Sequence, residues 1–215
     1  METCTLHGRS SSHYVRTVRI LAHELGVPLQ FTPVYDMTGL SPGSYAGHPA
    51  MKVPCLHVGG EPVFGTENIC RTLARLSGRA AQVTWPEQLA DITCGNAQEL
   101  VWHCMAAQVQ IVFGTVFAQL PADNLYFTKA RAGFEGALAW LDAHVPHVLA
   151  ELPPARTLSL FEVTLYCLVD HLAFRPSVPV AGYPALLRFK EGWSVRASAQ
   201  ATPYLLDEKG LDEKG

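Results

Sequence analysis

The segment Lys52–Leu56 and the turn after it constrain the fold more than any other part of this chain. Pro54 begins an extended run, Gly59–Gly60 supply a tight hairpin turn, and a second extended run leads to a helix that opens at Glu67. Proline has no N–H and adopts the cis peptide bond more readily than other residues do. We therefore expect a bend at Pro54 that leaves the main-chain N–H and C=O of Val53 open to an extended ligand.

The helix after this hairpin adds a second binding feature. Free amides and the positive end of the helix dipole favour an anion at a helix N-terminus. Glu67–Asn68, at the start of the helix, are therefore expected to lie beside a carboxylate. A main-chain docking edge next to an anion site suits a small acidic peptide such as glutathione.

The residues before this hairpin alternate between strand and helix patterns. Cys4–His7 is a short strand candidate, and the apolar residues from Tyr14 to Leu25 fall three or four apart, as on one face of a helix. Ser12 stands at the N-cap position and Gly26 ends the helix. Leu29–Val34 is a second strand, and the order strand, helix, strand implies a right-handed parallel crossover.

Two domains are predicted. Residues 1–77 form an α/β thioredoxin-like domain of order βαβ–ββα, and residues 84–215 form an all-α helical bundle. Thr84–Glu87 is a capping box expected to open a long helix that runs to about Phe113. Ser159–Glu162 is a second capping box, before a helix that is apolar on nearly every side and therefore belongs in the centre of the bundle.

The composition excludes several classes of protein. With 215 residues, 48% hydrophobic and 16% charged, the chain is an ordinary globular protein with room for a core. Its net charge of −3 gives no reason to expect nucleic acid or an acidic membrane surface as a partner. The six cysteines lack metal-like spacing and are typical of buried thiols in a reducing compartment. With no leader and no membrane-length apolar run in view, we expect a cytoplasmic protein.

Metal binding is not expected. The nine histidines show neither H-x-x-x-H nor H-E-x-x-H spacing. The last ten residues repeat Leu-Asp-Glu-Lys-Gly, and we interpret this tail as a solvated terminus or a remnant of cloning.

Taken in order, these motifs resemble those of the soluble glutathione transferase superfamily over nearly the whole chain. The family pattern N-P-x-G-K-V-P-x-L appears as His48–Leu56, its E-S as Glu67–Asn68, and its S-x-A-D as Ser159–Glu162. The loop Ser10–Arg16 looks like that of the serine-type theta, zeta and bacterial classes.

The chain departs from the family pattern at several positions. His48 replaces an asparagine, Met51 a glycine, Asn68 a serine and Phe161 a small residue. We interpret Met51 and Phe161 as packing changes. Asn68 retains hydrogen-bonding groups for a carboxylate, with a longer reach than serine.

The resemblance implies an enzyme that conjugates glutathione to a small apolar electrophile through a thiolate stabilised by a hydroxyl. Ser12 is the first choice for the catalytic donor, Ser11 and Ser10 are the alternatives, and Tyr14 is a weaker one. The expected glutathione-binding residues are Ser10, Lys52, Val53, Pro54, Glu67 and Asn68. The expected hydrophobic-substrate residues are Tyr14, Trp102, His103, Met105 and Phe113.

Two other functions remain open. One is a zeta-like glutathione-dependent isomerase or dehalogenase, although the S-S-C-type signature of that class is replaced by Ser12-His13-Tyr14. The other is a non-catalytic member of the fold that serves as a binding or scaffold protein, which the altered His48, Met51 and Asn68 favour. A homodimer is expected from the resemblance alone.

Overall fold

A computed structural model of the chain describes residues 3–207. The chain forms two compact units. The first runs to Ala80 and also includes the residues from Arg196 onward, and the second is Ala81–Val195. The predicted boundary between residues 77 and 84 lies at this division. The assignment of residues 196–207 to the helical domain is wrong, because they pack with the N-terminal unit.

The N-terminal unit contains a four-stranded mixed sheet of order β2-β1-β3-β4. β1 pairs in parallel with β2, and β3 is antiparallel to both β1 and β4. This is the predicted thioredoxin-like order. The elements of the unit are β1 (Cys4–Gly8), α1 (His13–Leu25), β2 (Gln30–Pro33), a 3₁₀ turn (Pro42–Tyr45), β3 (Cys55–Val58), β4 (Glu61–Phe64), α2 (Thr66–Leu76) and the short α7 (Ala197–Gln200).

Helix α1 begins and ends as the sequence predicts. Ser12 has extended backbone angles, and its side chain accepts a hydrogen bond from the N–H of Val15, the N-cap arrangement. Gly26 is left-handed, with φ of 68°, and its N–H returns to the carbonyls of Ala22 and His23.

The second unit is a helical bundle with one short strand pair. Its elements are β5 (Val83–Thr84), α3 (Ile92–Val112), a π-helical turn (Phe113–Phe117), α4 (Leu125–Glu151), β6 (Leu158–Ser159), α5 (Leu160–Phe174) and α6 (Pro184–Ser194). Eleven of the fifteen residues of α5 are buried, among them Phe161, so α5 is central as predicted and the packing interpretation of Phe161 is confirmed.

The first predicted capping box, Thr84–Glu87, does not open the long helix. Thr84 is held extended because β5 pairs in parallel with β6, where it faces Ser159. Only a 3₁₀ turn, Pro86–Gln88, follows. The long helix α3 starts later, after Asp91, whose side chain accepts from the N–H of Cys94 at 2.7 Å. A partner distant in sequence therefore overrides the local signal.

The second capping box is confirmed. The Ser159 hydroxyl accepts from the N–H of Glu162 at 3.1 Å, and the Glu162 carboxylate accepts from the N–H of Ser159 at 3.1 Å. Arg156 adds two bonds to the same carboxylate, at 2.9 and 2.7 Å. Burial raises the pKa of Glu162, but these hydrogen bonds outweigh it and hold the pKa below its usual value.

One helical segment, Ile92–Phe117, is long and apolar enough to span a membrane by length and composition alone. The central helix of a soluble bundle meets the same criterion, so this feature is weak evidence for a membrane location.

Residues 196–207, which we call the C-terminal strap, pack on the N-terminal unit, where α7 lies against α1. Leu206 and Asp207 are the part of the repeated tail that lies within the described residues. The Asp207 side chain is only 9% exposed, so the solvated-terminus interpretation is wrong for this residue. The rest of the repeat lies outside the described residues.

Candidate functional site

Three segments of the N-terminal unit meet at one edge of its sheet. His7 pairs with Cys55, and Cys55 also pairs with Phe64. The loop after β1, the residues before β3 and the start of α2 after β4 therefore emerge at the same edge. This register brings the Ser10–Ser12 loop, the Val53–Pro54 junction and Glu67–Asn68 to one region, as the predicted site requires.

The Val53–Pro54 peptide bond is cis, as the sequence predicts. Pro54 is buried and Val53 is half-buried. Within residues 3–207, neither the N–H nor the C=O of Val53 takes part in a hydrogen bond, and strand pairing starts only at Cys55. Its main-chain groups are thus available to an extended ligand.

The loop between β1 and α1 presents Ser12 in a defined geometry. Its N–H donates to the carbonyl of Arg9 at 3.0 Å, which closes a turn. Its Oγ accepts from the N–H of Val15 at 3.3 Å. A hydroxyl has one proton and two lone pairs. Because the cap uses a lone pair, it does not compete with donation of the hydroxyl proton to a ligand.

The start of α2 offers main-chain donors. Its N-cap is Gly65, with φ of 83°, which has no side chain to cap the first amides. Glu67 accepts from Arg71 at 2.8 and 2.9 Å, and the Asn68 amide donates to the carbonyl of Phe64 at 3.1 Å. One of the two N–H groups of the Asn68 side chain is engaged. Within residues 3–207, the unpaired main-chain amides of this first turn and the helix dipole are therefore the main groups that favour an anion here.

The segment before Pro54 shows how the family departures are accommodated. His48 is 8% exposed, and its Nδ1 accepts from the N–H of Ala50 at 3.1 Å. Burial and then the charge of Lys52 lower the pKa of His48. Lys52 itself is exposed.

Met51 corrects one of our interpretations. It is 39% exposed and has φ of 51°, in the left-handed region that favours glycine. The replacement of the family glycine is therefore a backbone change rather than a packing change.

Tyr14 keeps its hydroxyl proton at neutral pH and can donate it. Burial raises the pKa of Tyr14 to about 12. Its ring lies 4.6 Å from that of His13, so the first turn of α1 places two rings beside the serine loop.

The predicted hydrophobic-substrate residues of the helical unit divide into two groups. Trp102 is half-buried, His103 is exposed and Phe113 is 42% exposed, so a ligand can reach all three. Met105 is 0% exposed and belongs to the core of this unit. Its assignment to a substrate wall is wrong, because helical spacing alone does not tell the core face from the open face.

The structure also brings together three residues that sequence spacing did not connect. The ligand-type atoms of Asp91, Cys94 and His147 lie within 4.8 Å of one another. Both Asp91 oxygens are engaged, one by the Cys94 N–H at 2.7 Å and one by His147 Nε2 at 2.8 Å. These are the bonds of a helix cap that links α3 to α4, and they account for the cluster.

Comparison with known proteins finds similar sequences for the N-terminal unit, which carries the candidate site. Residues 11–76 match the family model for the glutathione S-transferase N-terminal domain. The comparison with curated protein sequences finds no significant match.

Solved structures are similar over both units. A glutathione S-transferase from Methylobacillus flagellatus KT, solved with GSH bound, has a TM-score of 0.77 at 22% identity and covers 94% of this chain and 100% of its own. A glutathione transferase family member from Pseudomonas fluorescens Pf-5 with bound glutathione has a TM-score of 0.74 at 19% identity, over 95% and 100%. A glutathione S-transferase from Methylobacterium radiotolerans JCM 2831, in complex with glutathione sulfonate, has a TM-score of 0.71 at 20% identity, over 96% and 98%.

The fold and the edge site define a thioredoxin-like domain joined to a helical unit. Within that class, residues 11–76 are similar to the glutathione S-transferase N-terminal domain, and the chain has the fold of the solved glutathione transferases.

Proposed function

We propose that this protein is a glutathione transferase that adds glutathione to a small apolar electrophile through a thiolate stabilised by the Ser12 hydroxyl. The observation that carries the proposal is that the main chain of Val53 makes no hydrogen bond within residues 3–207, at the sheet edge where the Ser12 loop also emerges. Structural neighbours of the same fold hold glutathione or a glutathione derivative, which supports this choice of ligand.

Each part of glutathione has a partner at this edge. The cysteinyl main chain pairs with Val53 beside Pro54, and the γ-glutamyl carboxylate lies at the uncapped amides of Glu67 and Asn68. Lys52, which is exposed, reaches the glycyl carboxylate. The Glu67 carboxylate, although paired with Arg71, has a second oxygen for the ammonium group.

The chemistry needs glutathione as a thiolate at neutral pH. A free thiol has a pKa of about 8.5, and lowering it by about 2 units takes roughly 2.7 kcal/mol of preferential stabilisation. A hydrogen bond to a charged group contributes about 1.5–3 kcal/mol, and the N-terminal end of α1 adds about 0.3–1 kcal/mol. These two contributions from the Ser12 region are sufficient. Proximity to the bound electrophile supplies the rest of the acceleration.

The remaining assignments follow from the same proposal. The N-terminal unit binds glutathione through Ser10, Ser11 and the residues named above, and the helical unit contacts the electrophile through Trp102, His103 and Phe113. We further propose a cytoplasmic homodimer, by analogy with the superfamily.

The test is Ser12→Ala compared with Ser12→Thr and Ser11→Ala. Ser12→Ala removes the hydroxyl donor and leaves the end of α1 in place, so we expect glutathione to bind within about threefold while turnover with an aryl halide falls by about tenfold to a hundredfold, the loss of a hydrogen bond worth about 1.5–3 kcal/mol. Ser12→Thr keeps both the cap and the donor and retains most activity. If Ser12→Ala is fully active, Ser12 has no catalytic role. If only Ser11→Ala loses turnover, that hydroxyl is the donor.

A non-catalytic binding or scaffold function is the second candidate. The engaged Asn68 amide and the strained Met51 favour it, because both lie where the family binds glutathione. Calorimetric titration of the wild-type chain decides between the two. The absence of binding at millimolar glutathione supports the scaffold function.

A further inference from the structure

The C-terminal strap is attached to α1 at several points before it reaches the serine loop. Arg196 forms an ion pair with Glu24, and the Ser198 hydroxyl donates to the same carboxylate. The buried Arg16 donates to the carbonyl of Ala199 at 3.2 Å, and its guanidinium lies 4.3 Å from the ring centre of Tyr204. The strap therefore follows α1 toward its N-terminus in a fixed path.

The strap ends, within the described residues, on the loop that carries the candidate catalytic hydroxyls. Asp207 Oδ2 accepts from the main-chain N–H of Ser10 at 2.8 Å and lies 3.4 Å from Nε of Arg9. The side chains of Asp207 and Arg9 are only 9% and 17% exposed. Removal from water strengthens such charge-assisted contacts.

Arg9 extends this contact to the far side of the loop. Its Nη1 donates to the carbonyls of Val34 and Tyr35, at 3.3 and 3.1 Å, just after β2. Asp207 and Arg9 together therefore connect the strap, the serine loop and the chain that follows β2. Asp207 also supplies negative charge to Arg19, where it opposes the effects of burial and of Arg16 on the Arg19 pKa.

We propose that Asp207 is a positioning residue for glutathione activation. Its carboxylate fixes the Ser10 amide and Arg9, and this holds the two residues that follow, Ser11 and Ser12, where a hydroxyl meets the sulfur. The inference rests on the proposed function. It assigns to Asp207 a part in the chemistry of a loop that lies 197 positions earlier in the sequence.

The charge of Asp207 and its positioning effect act on a thiolate in opposite directions. Removing a nearby negative charge favours a thiolate and lowers the thiol pKa. Loss of a positioned hydroxyl donor raises it. The sign of the change in the pKa of bound glutathione therefore separates positioning from simple electrostatics.

The experiment uses the full chain with Asp207→Ala, Asp207→Asn and Asp207→Glu. The tail provides a matched control, because Asp212 stands in the same pentapeptide, Leu-Asp-Glu-Lys-Gly, as Asp207. For each variant we measure the pKa of bound glutathione by ultraviolet thiolate absorbance, kcat and KM with an aryl halide, and the thermal midpoint. Hydrogen exchange at the Ser10 amide is measured without glutathione.

We expect Asp207→Ala to raise the thiol pKa by about one unit and to lower kcat by about tenfold, with a smaller change in KM for glutathione. The Ser10 amide exchanges faster. Asp207→Asn keeps an acceptor for the Ser10 N–H but loses the charge that pairs with Arg9. We therefore expect its thiol pKa and kcat to lie between those of the wild type and of Asp207→Ala. Asp207→Glu restores most of kcat, and Asp212→Ala leaves every readout unchanged.

Three outcomes overturn the inference. They are an unchanged or lowered thiol pKa in Asp207→Ala, a fall in the thermal midpoint with kcat intact, and an equal effect from Asp212→Ala. Failure of the proposed function looks different, because the wild type itself then does not bind millimolar glutathione. In that case, faster exchange of the Ser10 amide in Asp207→Ala would show that Asp207 attaches the strap to the serine loop, and this contact would have no role in glutathione activation.

Discussion

Glu24 and Arg196 form a bidentate ion pair, with Oε1–Nε and Oε2–Nη2 both at 2.8 Å. Burial raises the pKa of Glu24, but the hydrogen bonds from Arg196 and Ser198 outweigh it and hold the pKa below its usual value. This pair attaches the beginning of the C-terminal strap to α1.

The first prediction concerns acid stability. Because the pKa of Glu24 is depressed in the folded state, its contribution is complete above the unfolded pKa of about 4.3 and is lost as pH falls through the folded value. At pH 7 we expect Glu24→Gln to lower the free energy of unfolding by about 1–2 kcal/mol, a figure reduced for the partial exposure of Arg196.

Urea denaturation of both proteins from pH 7 to pH 3 measures this effect. The difference between wild type and variant should shrink below about pH 4.3. Glu61→Gln, on the exposed hairpin, is the control for general loss of charge and should cost less than about 0.5 kcal/mol. A difference that stays constant with pH contradicts the role of the ion pair.

The second prediction concerns Met51. A side chain in the left-handed region costs the folded state about 1–2 kcal/mol, and glycine removes this cost. Glycine also gives the unfolded chain more conformational entropy, which offsets part of the gain in stability. We expect Met51→Gly to raise the free energy of unfolding by about 0.5–1 kcal/mol. Ala50→Gly is the neighbouring control and should lower it by up to about 1 kcal/mol. Destabilisation by Met51→Gly would mean that the methionine makes compensating contacts.

The third prediction contrasts two helical glycines. A Cβ at Gly114 would meet the ring of the buried Phe127, whereas a Cβ at Gly136 meets no atom within 4 Å. We expect Gly114→Ala to lower the free energy of unfolding by about 1–3 kcal/mol through overpacking. Gly136→Ala should raise it by about 0.5–1 kcal/mol through helix propensity. Equal effects in chemical denaturation would show that the Phe127 ring moves freely.

The fourth prediction concerns thiol reactivity. All six cysteines are buried, and burial raises the pKa of Cys55, of Cys94 and of Cys104, the last to about 12. A thiol must ionise and be reached to react. We expect a disulfide reagent to modify none of the six at pH 7.5 in the native protein and all of them in denaturant. Fast modification of the native protein would reveal local opening around one of them.

The fifth prediction tests the anion end of the site. Because one of the two N–H groups of the Asn68 side chain donates to the Phe64 carbonyl, the side chain is held toward its own helix end and offers a ligand carboxylate at most the other N–H. Asn68→Ser restores the family hydroxyl, and we expect glutathione affinity to rise by about threefold to tenfold, the value of one added hydrogen bond. Asn68→Ala should change affinity by less than about twofold. A loss of affinity in Asn68→Ser would mean that the asparagine binds the ligand directly.

Local signals predicted much of the fold and of the site. The α1 caps at Ser12 and Gly26, the hairpin at Gly59–Gly60 and the box at Ser159–Glu162 each depend on residues a few positions apart, so the sequence specifies them without tertiary information. The box at Thr84–Glu87 carried the same local signal and failed, because pairing with β6 holds its first residue extended.

Burial and strain were harder to predict. Helical spacing placed Met105 with Trp102 and His103, but only the packing of the bundle decides which face of α3 is covered. The φ of Met51 likewise depends on the path of the chain from the 3₁₀ turn to Pro54. This path requires a positive φ, which residues with a side chain disfavour.

The sequence by itself determined the two kinds of domain, the cis bend at Pro54 and the serine loop, because each is encoded by neighbouring residues. Only the tertiary structure decided that the chain returns after Arg196 to the first unit and sets Asp207 on the Ser10 amide. The physical reason is that this contact depends on how all the helices between Ser10 and Asp207 pack and are oriented, and no short stretch of sequence carries that information.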